Sequence, residues 1–442
     1  MAKNTELLAK TGEILDQYEI CDSCLGRLFG ELSHGLANED RGKSLRISSA
    51  IARDEPPMEP AACEICHGLC SELDGWAERA IEEVQRVEFG TFLFGTRLTE
   101  EMLDNQETVE KEFGLDASED FSHAINRKLG KKFRDGLYEK SRNVEADFES
   151  PDLTVLVDFR TRDVDLDIRP TYYYGRYRKL SRGVPQTIWH CRHCRGSGCE
   201  ACSYTGRKYD DSVEERVSEP LQQAARGDST VFHGAGREDL DVLTDGEGRP
   251  FVVEVKDPKI RDLDYEKITE DINAGSSGVV EITKLKKVNK SAVRTLKQAD
   301  LDKIYRVEIE LEEPVAEELI FETLTNIEGR IYQRTPGRVS HRRAKKVRVR
   351  GLKSTSTSRL SDRVYRVDLR TEGGLYIKEL FTGERTVPSL PELLGTSIKV
   401  RQLDVLDIPG RLEEKESDAS ENLEYEFIQT GEDFETNFIE SN

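Results

Sequence analysis

Cys191-x-x-Cys194 and Cys199-x-x-Cys202, interleaved with Gly196, Gly198 and Gly206, place two thiolate pairs on tight turns that can close a tetrahedral zinc shell. Four cysteines leave no open coordination position, so such a site is structural and stabilises a knuckle too small to bury its own core. A second set, Cys21, Cys24, Cys63 and Cys66, repeats the C-x-x-C spacing, though its pairs are far apart and His67 or Cys70 compete as ligands. A redox C-x-x-C would not need two pairs per site.

A different chemistry is offered by Gly236-Arg237-Glu238-Asp239-Leu240-Asp241-Val242, which precedes Gly246, Gly248, Arg249, Pro250 and the apolar run Phe251 to Val255. An arginine beside carboxylates in a glycine-bounded loop can hold one of them ionised. Taken alone the segment is also an ordinary salt-bridged turn. The most basic stretch, Ile331 to Arg350, carries Arg334, Arg338, Arg342, Arg343, Lys345, Lys346, Arg348 and Arg350 with no acid. In an acidic chain this reads as a phosphate-binding surface, with Arg342 and Arg343 among the substrate contacts. Two smaller basic islands, Arg127 to Arg134 and Tyr172 to Arg182, suit phosphate contact and ring stacking; solvated cations over interior tyrosines are the plainer reading.

The elements that must position these groups belong to a chain of 442 residues, too long for one ordinary core. Lys plus Arg number 65 against 86 Asp plus Glu, a net charge of −21 dispersed along the sequence, which reads as salt adaptation rather than a basic-partner tail. No apolar run approaches a membrane span and no signal segment leads the chain, so a cytoplasmic protein is expected. Helical spacing over Leu7 to Tyr18 leads into the first cysteines; helical and strand-like runs alternate from Leu73 to about Ile188, and period-two runs such as Tyr305 to Leu311 and Ile398 to Val405 dominate thereafter. The expected fold is α+β in three parts and a tail: a zinc-stapled unit (1–72), an α/β RNA-binding domain (73–188), a knuckle with a mainly antiparallel catalytic domain (189–410), and an acidic, partly disordered tail (411–442).

Three segments taken together resemble the archaeal and eukaryotic family of tRNA pseudouridine synthases that acts on T-loop uridines 54 and 55. They are Cys21-Asp22-Ser23-Cys24-Leu25-Gly26-Arg27-Leu28-Phe29, Tyr174-Gly175-Arg176-Tyr177-Arg178-Lys179-Leu180, and Gly236 to Val242 with Gly248-Arg249-Pro250-Phe251. The resemblance implies that Asp239 is the catalytic carboxylate, with Asp241 the runner-up, and that Arg237 is its partner or a base-flipping aid. It implies that Tyr305 stacks on the uracil and that Gly373 to Leu380 supplies a basic partner, Lys378, with Tyr376 beside the substrate. Leu403, or else Leu406, would close the pocket. It further implies a THUMP-type RNA-binding module that docks the acceptor end of the tRNA and holds the two smaller basic islands.

Making pseudouridine needs no redox agent and no nucleotide, so structural zinc is the only cofactor expected. A monomer bound to tRNA, without membrane contact, is the expected working form. The rival is a zinc-bearing tRNA-binding protein without chemistry, which the cysteines and basic islands alone would satisfy. Asp239, Tyr305 and Lys378 in that order argue for the enzyme.

Overall fold

The computed structural model describes residues 2–33, 35–58, 60, 62–116, 118–327, 329–340, 344–415 and 423–429. Arg342 and Arg343, expected among the substrate contacts, lie outside them. The chain divides into two units, Met1–Arg169 and Pro170–Asn442. No helix among the described residues is long and apolar enough to cross a membrane.

The first unit runs α1 (Ala2–Gln17), α2 (Asp22–Leu28), α3 (Asn38–Arg53), α4 (Leu69–Glu83), β1 (Thr91–Arg97), α5 (Glu100–Phe113), α6 (Phe121–Glu139), β2 (Glu145–Ala146), β3 (Leu153–Asp158) and β4 (Asp163–Ile168). Its sheet has the order β2-β1-β3-β4, with β1 parallel to β3 because α5 and α6 provide the crossover that parallel neighbours require. Trp76 and Ile81 of α4, Leu129 and Phe133 of α6, and Ile14, Leu25 and Leu28 of the first helices share one core. The expected boundary at 72/73 is therefore corrected: the cysteine-bearing helices are too short to bury a core and fold onto the α/β part. Gly26 marks how closely they pack, since a Cβ there would lie 1.7 Å from the Asn38 carbonyl oxygen on α3.

The basic island on α6 is largely neutralised. Arg127 pairs with Glu119, Lys128 with Glu39, Lys132 with Asp74 and Arg134 with Asp135. Exposed pairs of this kind are weak and exchange readily for phosphate, but they are not the uncompensated patch the sequence suggested.

The second unit runs β5 (Thr171–Lys179), α7 (Val213–Ala225), β6 (Ser229–Gly234), β7 (Leu243–Lys256), α8 (Tyr265–Gly275), β8 (Val280–Val288), α9 (Lys290–Gln298), β9 (Lys303–Leu311), α10 (Glu317–Asn326), β10 (Ile331–Arg334), β11 (Val347–Arg350), β12 (Leu352–Arg359), β13 (Val364–Thr371), α11 (Ile377–Thr382), β14 (Thr386–Val387), α12 (Leu390–Leu394), β15 (Ile398–Asp407), β16 (Arg411–Glu414) and β17 (Tyr425–Ile428). The large sheet has the order β12-β13-β9-β15-β7-β5-β8, with β6 on β7, and only β15 against β7 is parallel. The mainly antiparallel expectation holds, and the whole is the mixed α and β fold read from the sequence.

β5 lies between β7 and β8 in the sheet, and both its faces are covered by packed elements. Tyr173 and Tyr177 join Val217 and Leu221 of α7 on one side, while Tyr172 and Tyr174 join Leu296 of α9, Leu412 and Tyr425 on the other. This corrects two expectations at once. The unit boundary falls at 169/170 rather than 188/189, and the Tyr172 to Arg182 island belongs to the second unit, where its rings are core. Arg176 is buried and donates to the carbonyl oxygens of Glu247, Gly248, Ile408 and Gly410. The expected tail after residue 410 is likewise corrected in its described part, because β16 and β17 pair and bury Leu412 and Tyr425.

Candidate active site

Four segments of the second unit converge on a cavity of about 360 Å³: the 236–242 loop, the strands β9 and β15, and the 374–378 turn. Its walls include Arg237, Asp239, Tyr305, Tyr376, Lys378 and Leu403, so every described residue expected at the site except the metal ligands lines one space. Asp241 and Leu406, the alternatives, are not among the lining residues.

The loop is built from its buried side. Glu238 contacts Arg249 at 2.7 Å, with side chains 0% and 2% exposed, and accepts hydrogen bonds from the Tyr177 hydroxyl at 2.8 and 2.9 Å. Arg249 donates to the Ala235 carbonyl oxygen at 2.9 Å. Lys179, also buried, donates to the carbonyl oxygens of Val184, Asp239 and Leu240 at 2.9, 3.2 and 3.2 Å. Gly236 enters the loop at φ +79°, a backbone conformation costly for other residues, with Arg249 3.2 Å from where its Cβ would stand. Glu238 thus anchors the turn inward while Asp239, its neighbour, presents its carboxylate to the cavity.

Arg338 reaches that carboxylate directly. Its Nη1 lies 2.5 Å from Asp239 Oδ2, while Nε and Nη2 bind the buried Glu379 carboxylate at 2.6 and 3.1 Å. Lys378, the expected basic partner, stands 3.7 Å from Asp239 Oδ2 and closer, at 2.9 Å, to Asp241. The burial of Asp241 raises its pKa, but the bonds from Lys378 outweigh this and leave it below the usual carboxylate range. Lysine accordingly bridges two acids as a point charge, and the fork geometry comes from Arg338. Sequence reasoning had placed Arg338 on a phosphate-binding surface and given Glu379 no role. The available signal was an acid next to Lys378 in an otherwise apolar helix start.

The remaining walls are braced. Tyr305 faces the cavity from β9, paired in register with Leu369 of β13 and Val405 of β15. Burial pushes its phenol up to about 12, with Arg249 opposing, so the hydroxyl stays neutral at physiological pH. Tyr376 is fixed through its backbone by the buried Gln333, which accepts from its N–H at 2.7 Å and donates to its carbonyl oxygen at 2.8 Å. Arg348 donates to its hydroxyl at 2.7 Å. Arg237 lines the cavity with its guanidinium 5.4 Å from the Trp189 ring centroid.

These findings meet independent comparisons. The chain matches the family described as "Pus10, C-terminal" over residues 172–409 and "Pus10 THUMP domain, archaeal" over 76–158. The chain belongs to the Pus10 family. Among its Pus10 relatives, the tRNA pseudouridine synthase of Halorubrum lacusprofundi is 42% identical over 405 residues, covering 88% of this chain and 93% of the relative. That of Methanothrix thermoacetophila is 39% identical over 435 residues, covering 92% and 95%. The Cbf5-Nop10-Gar1 complex is a remote structural likeness, with TM-score 0.30 and 17% identity over 53% of this chain and 49% of that one. The spans of the two Pus10 matches fall on either side of the 169/170 division.

Two groups of four thiols could hold metal. Cys191, Cys194, Cys199 and Cys202 gather as expected, with sulfur separations of 3.7 to 3.9 Å. A tetrahedron with Zn–S bonds of about 2.3 Å has edges of about 3.8 Å, so the donor set fits zinc. In the first unit the set is Cys21, Cys24, Cys66 and Cys70, with Cys21 to Cys66 at 3.8 Å and Cys24 to Cys70 at 3.9 Å. Cys70, carried at the start of α4, joins this set, and the expected Cys63 stands beside it with its thiol against those of Cys21, Cys24 and Cys66. Zinc at either place would supply structure alone. Substituting Cys194→Ser in the knuckle is expected to lower bound zinc by one equivalent per chain, read by metal analysis of the purified protein.

Proposed function

We propose that this Pus10-family isomerase converts uridine to pseudouridine in the T loop of tRNA, at position 54, 55 or both, with Asp239 as the reacting carboxylate. The observation that carries the reading is a carboxylate held by Arg338 Nη1 inside a cavity walled by Tyr305 and Leu403. The reaction breaks the C1′ to N1 bond and forms a C1′ to C5 bond; C5 loses its proton and N1 gains one, so atoms balance without an added reagent. Asp239 would either attack C1′ or remove the C2′ proton, and both routes need a carboxylate whose position is fixed.

The target base must leave its stack, at a cost of a few kcal/mol that tRNA binding offsets. Tyr305 would then stack on the extruded uracil and Leu403 would close the pocket. The exposed cations Arg334, Lys345 and Lys346 of the β10–β11 hairpin would contact phosphate, with Arg342 and Arg343 assigned there on sequence grounds. The first unit, which carries the THUMP match, would dock the acceptor end.

The direct test is tritium release from C5-tritiated uridine in an unmodified tRNA transcript, with the product mapped by position. Release supports the enzyme; tRNA binding without release by folded, zinc-loaded protein would favour the non-catalytic alternative. In the same assay Asp241→Asn is expected to retain activity within about tenfold, because it removes only a partner of Lys378 outside the cavity.

A further inference from the structure

Lys303 opens β9 two residues before Tyr305, and its side chain lies where two cavities meet. It lines the active-site cavity and also a second one of about 730 Å³, whose walls include Lys297, Lys346, Arg350 and Gly373. The two spaces share Gly236, Arg237, Lys303 and Gly374.

The ammonium is unusual in having no hydrogen-bond or ion-pair partner among the described residues. The nearby acids are engaged elsewhere: Asp300 faces Arg350 at 3.8 Å, and Asp302 binds Lys353 and Arg370 at 2.8 and 2.9 Å. Arg249, its cationic neighbour, is committed to Glu238. Burial and then Arg249 lower the Lys303 pKa to about 8, against the upward pull of Asp300 and Asp302. A cation partly desolvated without an ion-pair partner costs stability, which a methionine of similar length would avoid. Space is kept open around it by two residues without side chains, since a Cβ on Gly373 or Gly236 would come within 3.5 or 3.9 Å of Nζ.

We propose that Lys303 binds the backbone phosphate adjoining the target uridine, so that the RNA strand passes from the active-site cavity into the second cavity along Lys346 and Arg350. The proposal rests on RNA being the substrate. It makes Lys303 a positioning residue: by holding the flanking phosphate it sets how far the uridine enters toward Asp239. An anion is the partner that a half-buried ammonium without an ion pair lacks, and Lys346 and Arg350 continue the same charge along the wall.

The test uses full-length protein and tRNA transcripts in which the phosphate on the 5′ or the 3′ side of the converted uridine is replaced by an uncharged methylphosphonate. Lys303→Ala is expected to weaken tRNA binding about ten- to a hundredfold, as loss of one charge-assisted bond does. It should also reduce the slope of log affinity against log salt by about one phosphate's worth. One of the two methylphosphonates should cost the wild type a similar factor and cost Lys303→Ala nothing further. Lys303→Arg should restore binding, and Lys303→Met should melt no lower than wild type. Additive losses at both linkages would overturn the proposal and point instead to a uracil carbonyl as the partner. Absence of tritium release by the wild type would count against the enzymatic reading, whereas additivity in an active enzyme counts only against this one.

Discussion

Asp239→Asn should reduce tritium release from C5-tritiated tRNA on the order of 10⁴-fold or more, the scale seen when a reacting group is removed from a catalytic unit. tRNA affinity should stay within about threefold of wild type, since the substitution leaves the basic hairpin untouched. The amide keeps the shape of the side chain and can still accept from Arg338 Nη1, now 2.5 Å away, so the loop has no reason to move. The buried work of positioning is done by Glu238 and Lys179, which the change does not touch. Single-turnover kinetics at saturating enzyme would separate the two quantities. An active Asp239→Asn protein would remove Asp239 from the chemistry and leave the cavity without its assigned reactant.

The largest effect on stability is expected at the anchor behind that residue. Arg249→Met leaves the Glu238 carboxylate, wholly enclosed, facing an apolar side chain, and breaking one partner of a buried pair costs about 3–5 kcal/mol. For a unit of this size that corresponds to a Tm lower by roughly 6–15 °C. The double substitution Glu238→Leu with Arg249→Met should recover much of the loss, because the desolvated charge is gone, yet it should not recover activity. The Tyr177 hydroxyl would lose its acceptor and the Ala235 carbonyl its donor, and the loop that aims Asp239 would relax. Calorimetry on the three proteins, beside tritium release, gives both readings. A single Arg249→Met protein melting as wild type would show that the pair does not hold the loop.

Much of this site was legible because its parts carry local signatures. Gly236-Arg237-Glu238-Asp239, the tyrosine of β9 and the Lys378 turn are each short, and a resemblance can align them one by one. The Arg338 to Glu379 pair was not legible, because its meaning depends on β10 and β11 folding back so that a cation of the basic stretch turns inward. Charge runs disclose composition but not direction. The same limit applied to Tyr172–Arg182, where period two cannot distinguish a half-exposed strand from one covered on both faces, and only the packing of α7 on one face and of α9 with β16 and β17 on the other decides it. For the first thiol cluster, C-x-x-C spacing pointed to Cys63, whereas the fold brings Cys70 as well into reach of Cys21, Cys24 and Cys66, which the spacing alone does not disclose.

The β16–β17 pair bears on how this protein is divided for study. A chain stopped at residue 409 would contain every lining residue of the active-site cavity and the whole span matched to the C-terminal domain. It would also strip Leu412 and Tyr425 from the face of the sheet that Tyr172 and Tyr174 present, leaving an apolar surface open to water. Such a fragment could hold its chemistry and still self-associate, so a loss of soluble yield on trimming the acidic end would report a missing cover rather than a damaged active site.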